Sequence, residues 1–222
     1  MEQSKLKDIF EIGETIAVEF KRCGNGIEND TYETVCSFLN RHGGDIFLGV
    51  LDDGTVIGLP ENNIRDMIKN FVKMISNDWA LLTAGTKGDF NTMTVSWGGI
   101  GELWNKDVCF VFVRPQRYTY EFIEKNDYFS LSFFGGEHKK ELGVCGSKSG
   151  RDIDKIAETG LTPIDMETAI GFEEATVNVV LKKLAYQDMK PDGFIDESIM
   201  KNYAANDFHR VYVGEIVKVV VK

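Results

Sequence analysis

Three polar stretches of this 222-residue chain carry residue types able to grip an anion. Residues 90–99 read FNTMTVSWGG, residues 114–121 read RPQRYTYE, and residues 145–155 read CGSKSGRDIDK. Each combines hydroxyls with backbone donors, and the last two add fixed positive charge. Arginine presents a planar fork to a phosphate, while serine and threonine add neutral donors. The chain has 35 acidic and 25 basic side chains, a net charge of −10. Any one of Arg114, Arg117, Arg151 or Lys155 could simply pair with a surface carboxylate. Three such stretches in one aromatic-rich region point instead to a phosphate-bearing ligand.

Other chemistries find no support. Gly99-Ile-Gly101-Glu-Leu-Trp104 starts like a dinucleotide fingerprint but lacks its third glycine and opens no βαβ unit. Residues 143–149, GVCGSKS, have the composition of a phosphate-binding P-loop without its order. No Gly-x-Ser-x-Gly elbow is present. The four cysteines, Cys23, Cys36, Cys109 and Cys145, form no CxxC pair and are expected as free thiols. His42, His138 and His209 are scattered, so no metal site is expected.

These stretches need a scaffold, and the hydrophobic pattern suggests one. Composition changes near residue 77, with no Pro- or Ser-rich linker. Before it, the pattern predicts a strand at 16–20, a helix at 30–40, a strand at 45–50, a turn at Asp52-Asp53-Gly54 and an amphipathic helix at 63–75. After it the period becomes two. Strands are expected at 80–84, 92–97, 108–113, 129–134, 176–185 and 211–220, with Gly98-Gly99 as a turn and short helices at 118–125 and 151–159. Many strands with few helices between them indicate a barrel or sandwich. The fold class expected is α+β, mainly β.

Five strings in residues 78–222 carry a resemblance: DWALLTAG, FNTMTVSWGGIGELWNK, VFVRPQRYTYEFIEKNDYFSLSFF, GSKSGRDIDK and FHRVYVGEI. This region resembles the flavin reductase-like family, in particular its flavoredoxin branch. The resemblance implies an FMN-binding split β-barrel over residues 77–222. It also implies a homodimer with flavin at the interface and electron transfer with NAD(P)H as a common donor. Carried over by residue, Asn91, Thr92, Met93, Thr94, Ser96 and Trp97 would lie along the flavin ring and ribityl chain. Arg117, Tyr118 and Thr119 would hold the phosphate. Ser147, Ser149, Arg151 and Lys155 would close over the cofactor, and His209 would stand near the flavin edge. No side chain is implied as a covalent catalyst.

Residues 13–21, GETIAVEFK, and 33–59, ETVCSFLNRHGGDIFLGVLDDGTVIGL, resemble the first part of the Alba-like domain of Schlafen proteins. That implies a small α/β segment over residues 1–76, in a family linked to nucleic-acid binding or regulation. The net negative charge disfavours nucleic acid as a partner. No apolar run reaches the ~20 residues that cross a bilayer, and the first 20 residues lack a secretory h-region, so a cytoplasmic protein is expected. The leading expectation is an FMN-dependent oxidoreductase. The alternative is a non-catalytic flavin-binding redox sensor that reports through the N-terminal segment.

Overall fold

The computed structural model describes residues 3–23, 44–58 and 72–222, together with Thr31, Thr34 and Ser37. Most of the helices expected at 30–40 and 63–75, and Cys36 with them, lie outside these residues. The chain divides into two compact units, residues 1–72 with Val221, and residues 73–220 with Lys222.

In the first unit, helix α1 spans Gln3–Ile12. Strand β1, Val18–Lys21, pairs in parallel with β2, Asp45–Leu48. Phe10, Phe20 and Phe47 meet edge to face, with centroids 5.3–6.0 Å apart, the favoured aromatic geometry. The expected Asp52-Asp53-Gly54 turn is present. Gly54 N–H donates to the Leu51 carbonyl at 2.8 Å, and Thr55 N–H to Asp53 Oδ1 at 2.9 Å. Gly54 has φ +81°, and a Cβ there would lie 2.2 Å from the Phe10 carbonyl oxygen. Helix α1 has no counterpart in the sequence reading.

The second unit is built on a seven-stranded sheet in the order β4-β3-β7-β10-β11-β6-β5. Its strands are β3 Ala80–Thr86, β4 Asp89–Val95, β5 Gly98–Glu102, β6 Asp107–Val113, β7 Tyr128–Phe133, β10 Val177–Asp188 and β11 Arg210–Val221. A small hairpin, β8 Pro163–Asp165 with β9 Ile170–Phe172, lies outside it. Six of the seven sheet strands match sequence expectations. The exception is β5, where Gly98-Gly99 was expected to turn. A Cβ on Gly98 would stand 2.8 Å from the Phe110 carbonyl oxygen, so glycine lets this strand lie close against β6. The chain reverses instead at Trp104 and Asn105, both at positive φ, between mutual Leu103–Lys106 backbone bonds.

Helix α2, Tyr118–Lys125, falls where expected. Helix α3, Lys139–Ser147, was not anticipated, and its two internal glycines hide it from propensity. Helix α4 covers only Lys155–Thr159, because Asp154 Oδ1 caps Ile156 and Ala157 at 2.9 and 3.1 Å and so starts the helix late. Buried polar side chains in the sheet find partners. Thr83 bonds Thr92 between hydroxyls at 2.9 Å, and Ser132 donates to Asn178 at 2.7 Å.

Candidate functional site

Helix α3 ends against the strand and turn that bear the first two polar stretches. A helix leaves its last four carbonyls without intrahelical donors and carries partial negative charge there. Here side chains and the C-cap amide answer three of them, those of Val144, Cys145 and Gly146, and two hydroxyls bond the carbonyls just before them. Thr94 Oγ1 donates to the Leu142 carbonyl. Ser147 Oγ donates to Gly143 at 2.8 Å, and Lys148 N–H to Val144 at 3.0 Å. Lys155 Nζ donates to Cys145 at 2.8 Å, and Arg117 donates to Gly146. Lys155 also donates to the Thr92 carbonyl at 2.7 Å, which ties β4 to the end of α3.

Two cations therefore converge on one helix end, and among the described residues neither has a carboxylate partner. Burial, and then repulsion by Arg114, lowers the pKa of Arg117. Lys155 is lowered to about 8, chiefly by burial, with repulsion by Arg117 adding to it. Both effects mark a site where a further anion would be favoured. Arg114 differs, being paired with Asp207 and donating to the Asn202 carbonyl at 2.8 Å.

A cavity of about 390 Å³ opens beside this helix end. Met93, Thr94, Ser96, Trp97, Arg117 and His209 line it, six of the residues expected at the site. Phe112, Arg114 and Gln116 line it as well. Trp97 is 47% exposed, and its ring lies 5.3 Å from that of His209. His209 is buried, with its pKa lowered to about 4 by desolvation and then by Arg114, so it is neutral at pH 7. The lining thus combines aromatic side chains and a neutral imidazole with two guanidinium groups, of which Arg114 is paired with Asp207.

A second cavity, of about 610 Å³, receives Asn91, Thr92, Tyr118, Arg151 and Lys155. The structure therefore divides the expected site residues between two cavities. Arg151 is committed locally, paired with Glu121 and lying 4.6 Å over the Tyr118 ring. Thr119 lines neither cavity. It is buried and accepts from Asn91 Nδ2 at 2.7 Å. Gly150 packs against this pair, and a Cβ there would lie 2.1 Å from Asn91 Oδ1. Ser147 and Ser149 also line neither cavity: Ser147 bonds back into helix α3, and Ser149 Oγ accepts from Arg151 N–H in the loop that follows. The Cys145 thiol is fully buried and its pKa is raised by desolvation, which keeps it protonated at neutral pH.

Phe112 and Gln116 were absent from the expected site, as was Tyr203, whose hydroxyl lies 2.9 Å from Nδ1 of the lining His209. Phe112 could have been found, since it alternates with the buried Val111 and Val113 in β6. Tyr203 reaches the site only through a non-repetitive segment that no periodicity announces.

A family model described as Schlafen, AlbA_2 matches residues 14–132, more than half of the chain. The chain belongs to the Schlafen AlbA_2 family. That Schlafen AlbA_2 match crosses from the first unit into the second and ends within β7. Among solved structures, the chain is similar to the flavoredoxin of Desulfovibrio vulgaris (Miyazaki F), at 23% identity and a TM-score of 0.51, over 65% of this chain and 69% of that one. It is similar to a putative flavin reductase with split barrel domain from Shewanella frigidimarina, at 18% identity and a TM-score of 0.50, over 73% and 79%. It also matches a flavoredoxin from Methanosarcina acetivorans, at 26% identity and a TM-score of 0.49, over 65% and 68%. The fold of this Schlafen AlbA_2 family member is thus mainly β and includes the flavin reductase-like split barrel. A comparison with curated proteins finds no match. No described helix is long and apolar enough to cross a membrane.

Proposed function

We propose that residues 77–222 bind FMN and that the chain is a flavin reductase-like oxidoreductase. It would pass electrons from a reduced nicotinamide nucleotide or another donor to an acceptor. The observation that carries this reading is the 390 Å³ cavity itself, aromatic at Trp97, Phe112 and His209, and cationic at Arg117. A planar aromatic ligand with a phosphate tail matches both kinds of lining. The volume falls within the range of small-molecule sites. The similar solved structures include flavoredoxins and a putative flavin reductase, which supports the same choice.

In this reading, FMN when bound supplies the hydride and electron chemistry. The chain's own residues do the rest. Trp97 and His209 cover the ring, while Met93, Thr94 and Ser96 form the wall beside it. Arg117 takes the phosphate in a charge-assisted contact, with Lys155 adding positive charge from behind. His209 stays neutral near pH 7, so it adds no charge to the ring end. Residues 1–76 form an Alba-like segment, and a homodimer with flavin at its interface completes the proposal.

The test is the absorption spectrum of the purified protein, followed by identification of the released flavin. A flavin spectrum with FMN released supports the reading. A colourless protein that takes up neither FMN nor riboflavin contradicts it.

A second reading is favoured by the Schlafen AlbA_2 match over residues 14–132. The barrel could hold flavin as a redox sensor for that family's regulatory segment. Oxidation of reduced nicotinamide nucleotides with ferric chelate as acceptor separates the two. Sustained turnover favours the reductase, and bound flavin without turnover favours the sensor.

A further inference from the structure

Between β10 and β11 the chain leaves the sheet for two 3-10 turns, Pro191–Gly193 and Glu197–Tyr203. Tyr203 ends the second turn and is buried. Its ring stacks on Phe208 at 4.9 Å and 22°, and lies 5.4 Å from Phe194. Arg114 covers it from 5.4 Å, itself held by Asp207 and the Asn202 carbonyl. The Tyr203 hydroxyl lies 2.9 Å from His209 Nδ1, and the two rings cross at 82°. The His209 carbonyl accepts from Met189 N–H at 3.0 Å, so backbone and ring are both fixed.

Nδ1 of His209 is therefore engaged, and among the described residues nothing bonds Nε2. The ring lines the 390 Å³ cavity, so Nε2 is the nitrogen left for a ligand. The direction of the Tyr203–His209 bond decides what that nitrogen offers. If Nδ1 carried the proton and donated, the Tyr203 proton would be left with Met189 Sδ at 3.8 Å, a weak acceptor. If Tyr203 donates, the phenol proton meets the imidazole lone pair and the stronger bond forms.

We propose that Tyr203 is a positioning residue that donates its O–H to His209 Nδ1, fixes the Nε2–H tautomer, and so sets a neutral hydrogen-bond donor on the cavity wall. The site then selects ligands with an acceptor atom at that edge, and the contact acts on the ring end rather than on the phosphate. The ligand part of this inference rests on the flavin reading, whereas the tautomer does not.

The experiment is long-range 1H–15N NMR on flavin-free protein labelled at histidine, with His209 assigned by the loss of its signals in His209→Gln. A protonated Nε2 and a bare Nδ1 in the wild type are expected, and a protonated Nδ1 would overturn the proposal. The measurement needs no variant to fold beyond the one used for assignment. Tyr203→Phe should then convert the single tautomer into a mixture, and an unchanged tautomer would also overturn it. In titrations, Tyr203→Phe should weaken FMN and riboflavin equally, by about three- to tenfold, the range for one neutral hydrogen bond. If the tautomer is as expected but wild type binds neither flavin, the flavin reading fails and the positioning role stands. If both flavins bind to a protein with Nδ1–H, only the positioning role fails.

Discussion

Arg114 and Arg210 sit on the same barrel as Arg117 and Lys155, yet the two pairs of cations live differently. Arg210 grips Asp188 through Nε and Nη2 at 2.6 and 2.8 Å, reaches Glu124 at 3.1 Å, and lies 4.0 Å over the Tyr186 ring. Arg114 is closed off by Asp207. Among the described residues, Arg117 and Lys155 meet only carbonyls, at the end of α3 and on β4. Carbonyls satisfy the geometry of a cation but leave its net charge in place. In a chain with a net charge of −10, carboxylates are plentiful, so two unneutralised cations side by side need a reason. The first pair holds the fold, and the second keeps positive charge available beside a cavity.

Breaking the second pair should have the largest effect. Arg117→Ala removes a charge-assisted contact worth about 1.5–3 kcal/mol, so FMN affinity should fall by about one to two powers of ten. Riboflavin lacks the phosphate, and its affinity should barely move. Fluorescence-quenching titrations with both ligands check this. An equal loss for the two would assign Arg117 to the fold instead.

Lys155→Met should act on stability as well as binding. It leaves the Thr92 and Cys145 carbonyls without their donor, and denaturant titration should show a loss of about 1–3 kcal/mol. The wild-type pH dependence sharpens the point. Lys155 titrates at about 8 when folded, against 10.5 ordinarily. Between those values the unfolded chain binds more protons, so the Lys155 contribution to stability should rise with pH from about 8 towards 10.5. FMN affinity should fall over the lower part of that window, as the charge is lost. Lys155→Met should flatten both slopes, and slopes that survive the substitution would point to another group.

His209 acts in the same sense in a more acidic window. Its folded pKa is about 4, below the ordinary 6.5, so its contribution to stability is full above 6.5 and declines as pH falls towards 4. A thermal-unfolding series for wild type and His209→Gln isolates it.

Trp97→Ala should cost about three- to tenfold in affinity, and equally for FMN and riboflavin, because in the proposed pose the indole covers the flavin ring. A loss confined to FMN would reverse the orientation of the ligand. The smallest effect on affinity belongs to Arg210→Ala. It should lower thermal stability and leave the ratio of FMN to riboflavin affinity unchanged.

Much of the barrel was legible because six of its strands are runs rich in aliphatic, aromatic and β-branched residues, buried almost continuously in β3 and β7 and alternating along parts of β6 and β11. What escaped was set by tertiary contact. Gly98-Gly99 reads as a turn, yet serves as a strand lying against Phe110. Helix α3 has weak intrinsic propensity and is held from outside by Lys155 and by the sequence-distant Thr94 and Arg117. The site was legible as three stretches but not as two cavities. In FNTMTVSWGG, Met93 to Trp97 line one cavity and Phe90 to Thr92 the other. Lys155 bonds the Thr92 carbonyl next to that division, a contact no linear motif encodes. Tyr203 lies on a segment without periodicity, so its contact with His209 had no linear signature.

The central claim is that Arg117 keeps a positive charge on the lining of the 390 Å³ cavity for a phosphate. Its most direct test is parallel titration of the flavin-free wild-type protein with FMN and with riboflavin at pH 7 and fixed ionic strength. The expected result is that both bind and FMN binds at least about tenfold more tightly, the worth of one charge-assisted contact. Equal affinities, or riboflavin the tighter ligand, would contradict it.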